Sequence, residues 1–296
     1  MKSVSFSQFA MFLECPRRWK LNYIDNLRKY QQTIHTLFGS SMHITIQHYL
    51  ETVYSKSVKE ANTIDLSDYL KKTMYDGYKE SLSNNNNEHF SSPKELNEFH
   101  QDGVAILNFF QKKRLVHFST KNQKLVGIEI PLLVEIRPGV TFKAFLDIVL
   151  QDQVTGKIYI KDFKTSTRGW TDKEKKNMGK TSQLILYKSY YSKIFNVPED
   201  MIDVEFFIVR RKINEEAEFV AKRIQLFKPA AGSVTIRKVN KAFEEFINTA
   251  FLDGGDYNTE AVYPAYENSN CKYCEYSSNN TLCPVKSRVA NGKATS

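Results

Sequence analysis

Three side chains in the middle of this chain could do chemistry together. Asp147 closes the segment Phe145-Leu146-Asp147, and Asp162 and Lys164 stand in Lys161-Asp162-Phe163-Lys164-Thr165. Each aspartate follows an apolar alternation, where burying a carboxylate is costly unless a cation compensates it. If the second segment is a strand, Asp162 and Lys164 project to one face and Phe163 to the opposite layer, because side chains repeat every second residue. Two hard oxygen ligands and an ammonium around one small site suit divalent-metal hydrolysis of a phosphodiester. The acids would hold Mg2+ or Mn2+, and the cation would sit near the attacking water and the scissile phosphate. For a lone Asp-x-Lys, a turn cap or a local ion pair is the simpler reading; the combination carries the weight.

Downstream, Gln183-Leu-Ile-Leu-Tyr187 sets Gln183 and Tyr187 four residues apart, hence on one face of a helix. Upstream, Phe38-Gly39-Ser-Ser-Met-His43 puts an imidazole one helical turn after a glycine that permits close backbone approach, so His43 is a candidate third ligand. A packed or solvent-facing helix histidine is the bland alternative. His35, His48, His89, His100 and His117 have no matching motif.

The elements that must position these residues can be read from periodicity. Ser5 caps a short helix that ends near Cys15, a second helix resumes at Pro16 and a third runs from about residue 34 to 54. Further helices are expected at about 65–82 and 93–114, with a mobile loop at the four asparagines between Ser83 and Glu88. The period then changes to two. Segments 126–136, 140–150 and 157–165, joined by Pro138-Gly139 and Thr155-Gly156 turns, read as three antiparallel strands. The lysine-rich stretch 164–179 reads as a flexible loop over the site, followed by a helix from about 181 to 195. Strands at about 202–212 and 218–227, a helix at about 234–252 and an irregular tail complete the chain.

Forty-two Lys and Arg against 33 Asp and Glu, a net charge of +9, favour a polyanionic partner, although a merely soluble basic surface would give the same balance. The basic residues cluster at Lys112-Lys113-Arg114, Lys173 to Lys180 and Arg210-Arg211-Lys212. No apolar run approaches the roughly 20 residues of a membrane helix and no secretory leader opens the chain, so no membrane partner and an intracellular setting are expected. No Gly-x4-Gly-Lys-Ser/Thr motif is present, so an ATP-driven helicase would have to be a separate partner.

All four cysteines avoid the middle of the chain: Cys15 near one end, and Cys271, Cys274 and Cys283 near the other. Four such thiols suit Zn2+ or an iron-sulfur cluster and would tie the chain ends together. Trp19, Tyr23, Tyr263, Tyr266, Tyr273 and Tyr276 lie nearby in sequence, as packing around that staple or as stacking surfaces for bases.

Taken together, Gly39-x3-His43, the glutamate of Gly127-Ile-Glu129-Ile-Pro131, Asp147, Asp162-Phe-Lys164-Thr165, Gln183-x3-Tyr187 and the four cysteines occur in the order that resembles the RecB-like branch of the PD-(D/E)xK nuclease superfamily, including CRISPR-adaptation nucleases and the AddB nuclease domain. Two departures stand out: no Pro-Asp pair precedes Asp147, and the second acid is aspartate instead of glutamate. Both resemble the RecB-like branch more than restriction enzymes.

The resemblance implies an α/β (α+β) fold with a mixed central sheet flanked by helices. A helical region over residues 1–120 would contribute Cys15 and His43, a nuclease core would span 121–252, and a tail over 253–296 would pack against the N-terminus in one integrated domain. It implies Mn2+ or Mg2+ held by His43, Asp147, Asp162 and the Phe163 carbonyl, with Lys164 orienting or activating water. Gln183 and Tyr187 would position DNA and the lysine, and Glu129 would be the family's strand glutamate. It implies a [4Fe-4S] cluster on Cys15, Cys271, Cys274 and Cys283, with Zn2+ as the alternative. The implied activity is a single-stranded DNA exonuclease in recombination, repair or replication. A nucleic-acid-binding or structural subunit of a larger helicase-nuclease or CRISPR-adaptation complex is the competing reading.

Overall fold

A computed structural model describes residues 1–28, 32–84 and 87–290. Strand β1 (Lys2–Val4) precedes helices α1 (Phe6–Glu14) and α2 (Pro16–Tyr23), then α3 (Ile34–Ser55), α4 (Val58–Ala61), α5 (Leu66–Asn84) and α6 (Pro93–His117). Strands β2 (Gln123–Arg137), β3 (Val140–Asp152) and β4 (Ile158–Ser166) follow, then helices α7 (Asp172–Lys175) and α8 (Met178–Phe195). Strands β5 (Ile202–Arg210) and β6 (Ile224–Phe227), helix α9 (Ser233–Ala250) and the short strands β7 (Ala265–Glu267) and β8 (Arg288–Ala290) complete the fold.

Local chemistry explains the boundaries. The Ser5 hydroxyl accepts from the Gln8 amide to cap α1, Pro16 opens α2, and Thr33 with Thr36 forms a reciprocal capping box on α3. Asn177 caps α8, and Asn196, at φ 51°, ends it in the left-handed conformation that asparagine tolerates. Gly139, at φ 78°, allows the tight turn between β2 and β3.

The main sheet runs β1-β3-β4-β5-β6 with β2 on the other edge of β3, mixing parallel and antiparallel neighbours. One face packs on α1, α2, α8 and α9 through Phe9, Trp19, Leu184, Tyr187, Phe243 and Phe246. The other packs on α3 to α6 through Met42, Ile46, Leu107, Phe110, Phe163 and Phe207. This mixed α/β architecture is the one expected, with differences in detail. Strand β1 was not anticipated, since three residues show no period. The four-asparagine loop is shorter than expected because α5 runs to Asn84, and Asn85 and Asn86 lie outside the described residues.

The stretch 164–179 is not an open flexible loop. Strand β4 continues to Ser166, the Trp170 backbone exchanges hydrogen bonds with the Gln225 side chain, and a Thr171–Glu174 capping box starts α7. Helix α8 begins at Met178, earlier than the spacing predicts. Two of the basic runs are partly engaged within the fold, while Lys112 and Lys113 stay exposed. Arg211 and Lys212 pair with Glu98 and Asp102, and Arg114 is buried, donating to the Phe118 carbonyl.

Candidate active site

The site grows out of a fork in β3. On one edge β3 pairs throughout with β2; on the other, β1 covers only Val140–Phe142 and β4 only Ile148–Gln151. Residues 143–147 of that edge have no strand partner among the described residues, and Asp147 and Asp162 sit where β3 and β4 part. Having no β3 carbonyl to meet, the Phe163 amide donates to the Asp147 carboxylate at 2.7 Å.

The regular alternation also breaks there. Leu146 packs into the first core and Ile148, two residues on, into the second; Ile130 and Ile128 of β2 divide the same way. Between them Glu129 takes φ 51°, an uncommon conformation for a residue with a Cβ, of the kind that persists where surrounding contacts impose it. The contact is Gln47, whose side-chain amide donates to Glu129 Oε1 at 2.6 Å and to the Asp147 carbonyl at 3.2 Å. Gln47 stands four residues beyond His43 on α3, one turn along the same face. That spacing was available in the sequence as His43-x3-Gln47 and was not used.

Asp162 and Lys164 project together from β4, and Phe163 packs into the opposite layer. Lys164 Nζ lies 2.6 Å from Asp162 Oδ2 in an ion pair, and no other group hydrogen-bonds that buried oxygen. His43 Nδ1 lies 3.6 Å from Asp147 Oδ2, and the Phe163 main chain hydrogen-bonds the His43 ring. Gly39 makes this approach possible: a Cβ there would come within 3.1 Å of Thr165 Oγ1 at the end of β4.

Burial dominates the electrostatics. It pushes Asp147 and Asp162 each up to about 6, against the pull of the Lys164 ammonium, and each carboxylate faces a second negative charge. Burial, then Lys164, push His43 down, so the imidazole is neutral near pH 7 and keeps a lone pair. Burial and the nearby carboxylates push Tyr187 up, so its phenol stays protonated; Gln183 Nε2 donates to Tyr187 Oη at 2.8 Å.

His43, Glu129, Asp147, Lys164, Gln183 and Tyr187 line one groove of about 1270 Å3, with Asp162 buried beneath. Among the described residues, no set of three or more His, Cys, Asp or Glu side chains is gathered closely enough to hold a metal as it stands. At the acidic site, Asp162 is turned onto Lys164 instead.

The four cysteines are free thiols, all partly exposed. The two chain ends do meet: Arg17 donates to the Pro264 and Leu282 carbonyls, Arg18 pairs with Glu275 at 2.9 Å, and Cys15 is close enough to Cys274 to bear on its charge. Of the aromatic residues expected near the cysteines, Trp19, Tyr23 and Tyr263 stack on one another in the first core, while Tyr273 is exposed.

The model of the PD-(D/E)XK nuclease superfamily matches residues 3–283, and the chain belongs to that superfamily. In overall shape it is similar to the crystal structure of a candidate exonuclease from Eubacterium rectale, with a TM-score of 0.48 and 12% identity over 83% of this chain and 79% of that one. No curated protein is similar enough to register as a match. No described helix is long and apolar enough to cross a membrane.

Proposed function

We propose that this chain is a metal-dependent DNA nuclease of the RecB-like branch, acting as an exonuclease on single-stranded ends. The observation that carries the reading is the fork, where two buried carboxylates, a neutral imidazole and a main-chain carbonyl converge beside a lysine. Asp162 Oδ2, buried with only the Lys164 ammonium against it, and two acids held near 6 fit a site completed by a cation. His43, Asp147, Asp162 and the Phe163 carbonyl would hold Mg2+ or Mn2+, which when bound supplies Lewis-acid activation of water and of the phosphate.

The chain's own groups do the rest. Lys164 offers its ammonium to the developing phosphate charge and to the attacking water. Tyr187, kept protonated and oriented by Gln183, offers a neutral hydrogen bond beside the lysine. Gln47 holds Glu129 and the Asp147 backbone in place. The four cysteines we assign to a [4Fe-4S] cluster, with Zn2+ as the alternative. Burial pushes the Cys274 thiol up, which a metal would offset.

The test compares linear with circular single-stranded DNA in Mn2+, Mg2+ or EDTA. Loss of the linear substrate alone, with metal alone, is expected. Equal cutting of the circle would replace the exonuclease with an endonuclease, and cutting in EDTA would overturn the metal dependence.

A further inference from the structure

The groove extends well beyond the carboxylates, and two aromatic-lysine pairs from different elements line it. Lys143 and Phe145 alternate along β3 with Phe142, Ala144 and Leu146, which pack into the first core, and with Asp147 they line the groove. Phe145 is 42% exposed and belongs to neither core; the Lys143 ammonium lies 5.3 Å from its ring centre. Phe145 therefore presents part of its ring to the groove two residues from a buried acid. The second pair is Trp170 and Lys180, with Nζ 5.2 Å from the ring centre and 2.6 Å from Glu174 Oε1, a contact that a phosphate would replace; Trp170 is anchored on Phe206, and its backbone is held by Gln225. Both pairs line the same groove as Asp147 and Lys164, and its volume exceeds the roughly 300–1,000 Å3 of ordinary small-molecule sites. Aromatic platforms alternating with cations are how a protein follows a single strand: bases stack on rings while phosphates meet ammonium groups.

We propose that Phe145 is a base-stacking platform and Lys143 and Lys180 are phosphate contacts of a single-stranded DNA path, with Trp170 marking a second station along the same groove. This rests on the nuclease reading for its direction, since the path runs past Asp147 to the fork. One residue separates Phe145 from Asp147, so the stacked base would lie beside the phosphate held over the acids.

The experiment is equilibrium binding of a labelled single-stranded DNA oligonucleotide in Ca2+, by fluorescence anisotropy, for wild type, Phe145→Ala, Phe145→Leu and Phe145→Trp, with cleavage in Mn2+ read separately. Because Phe145 packs in neither core, all four proteins should fold and melt within a few degrees of one another. Loss of one stacked base should weaken binding of Phe145→Ala roughly 5- to 150-fold. Phe145→Leu should fall with it, and Phe145→Trp should bind as wild type does. Wild-type affinity in Phe145→Ala or Phe145→Leu, or no single-strand binding by wild type, would overturn the path. Tighter binding of the matching RNA would overturn the DNA assignment. The two readings fail separately: if the aromatic rule holds and nothing is cut, the path stands without the nuclease, whereas unaltered binding in a protein that cuts leaves the nuclease without this path.

Discussion

Replacing Asp162 by asparagine in protein stripped of divalent ions should stabilise the fold at neutral pH. Asp162 is 1% exposed, and burial, with a second charge on Asp147, raises it from 3.8 to about 6. A carboxyl raised on folding binds more protons folded than unfolded, so its contribution is fully present below about pH 4 and is lost as pH rises through about 6. Above that, the ionised group costs roughly 3 kcal/mol, at about 1.4 kcal/mol for each tenfold step. Asparagine keeps the shape and removes the charge, and Lys164, whose side chain is 30% exposed, can turn to water. At roughly 2 cal/mol/K per residue of unfolding entropy, the gain corresponds to a midpoint about 5 °C higher. Thermal melting of both proteins in EDTA from pH 4 to 8 is the assay. The variant should melt higher at pH 7 and the gap should close near pH 4. A variant that melts at or below wild type at pH 7, or by a margin unchanged at pH 4, would refute the reasoning. Saturating Mn2+ should stabilise wild type more than the variant, because it binds the folded acids.

Three further outcomes are expected. Lys164→Ala should lose about 100- to 10,000-fold in cleavage rate, measured on end-labelled DNA under single-turnover conditions, and should melt lower than wild type in EDTA at pH 7, because the buried Asp162 carboxylate loses its counter-charge. Gln47→Ala, which frees Glu129 from its φ 51° conformation and the Asp147 carbonyl from its donor, should weaken Mn2+ affinity roughly 10- to 100-fold by calorimetry. Cys274→Ala should release bound iron or zinc on purification and make residues 265–290 a preferred site of limited proteolysis, while α3 to α6 resist.

Much of the scaffold was legible because its signals are local. The alternation of 126–136 and 140–150 around Pro138-Gly139 defines two strands by itself, and Ser5, Pro16 and Thr33 announce their helices. The Asp-x-Lys pair needed only the two-residue period to share a face. The fork was not legible, because it arises when β1, from the start of the chain, and β4 divide one edge of β3. Neither was the turn of Glu129 into left-handed backbone: glutamate has no such preference, and the cause, Gln47, is 82 residues away. Of the basic runs at 112–114 and 210–212, Lys112 and Lys113 are exposed, while the engagement of Arg114, Arg211 and Lys212 was hidden for the same reason. Their charge is visible in sequence, while the burial of Arg114 and the partners of Arg211, Glu98 and Asp102, lie in tertiary structure.

The most direct test is cleavage of end-labelled single-stranded and double-stranded DNA in Mn2+, Mg2+ or EDTA by anaerobically purified wild type beside Asp162→Ala. Metal-dependent loss of label from single strands by wild type, absent in the variant, is the predicted result. A folded wild type that leaves both substrates intact, or an Asp162→Ala protein that cuts at the wild-type rate, would contradict a catalytic centre at the β3–β4 fork.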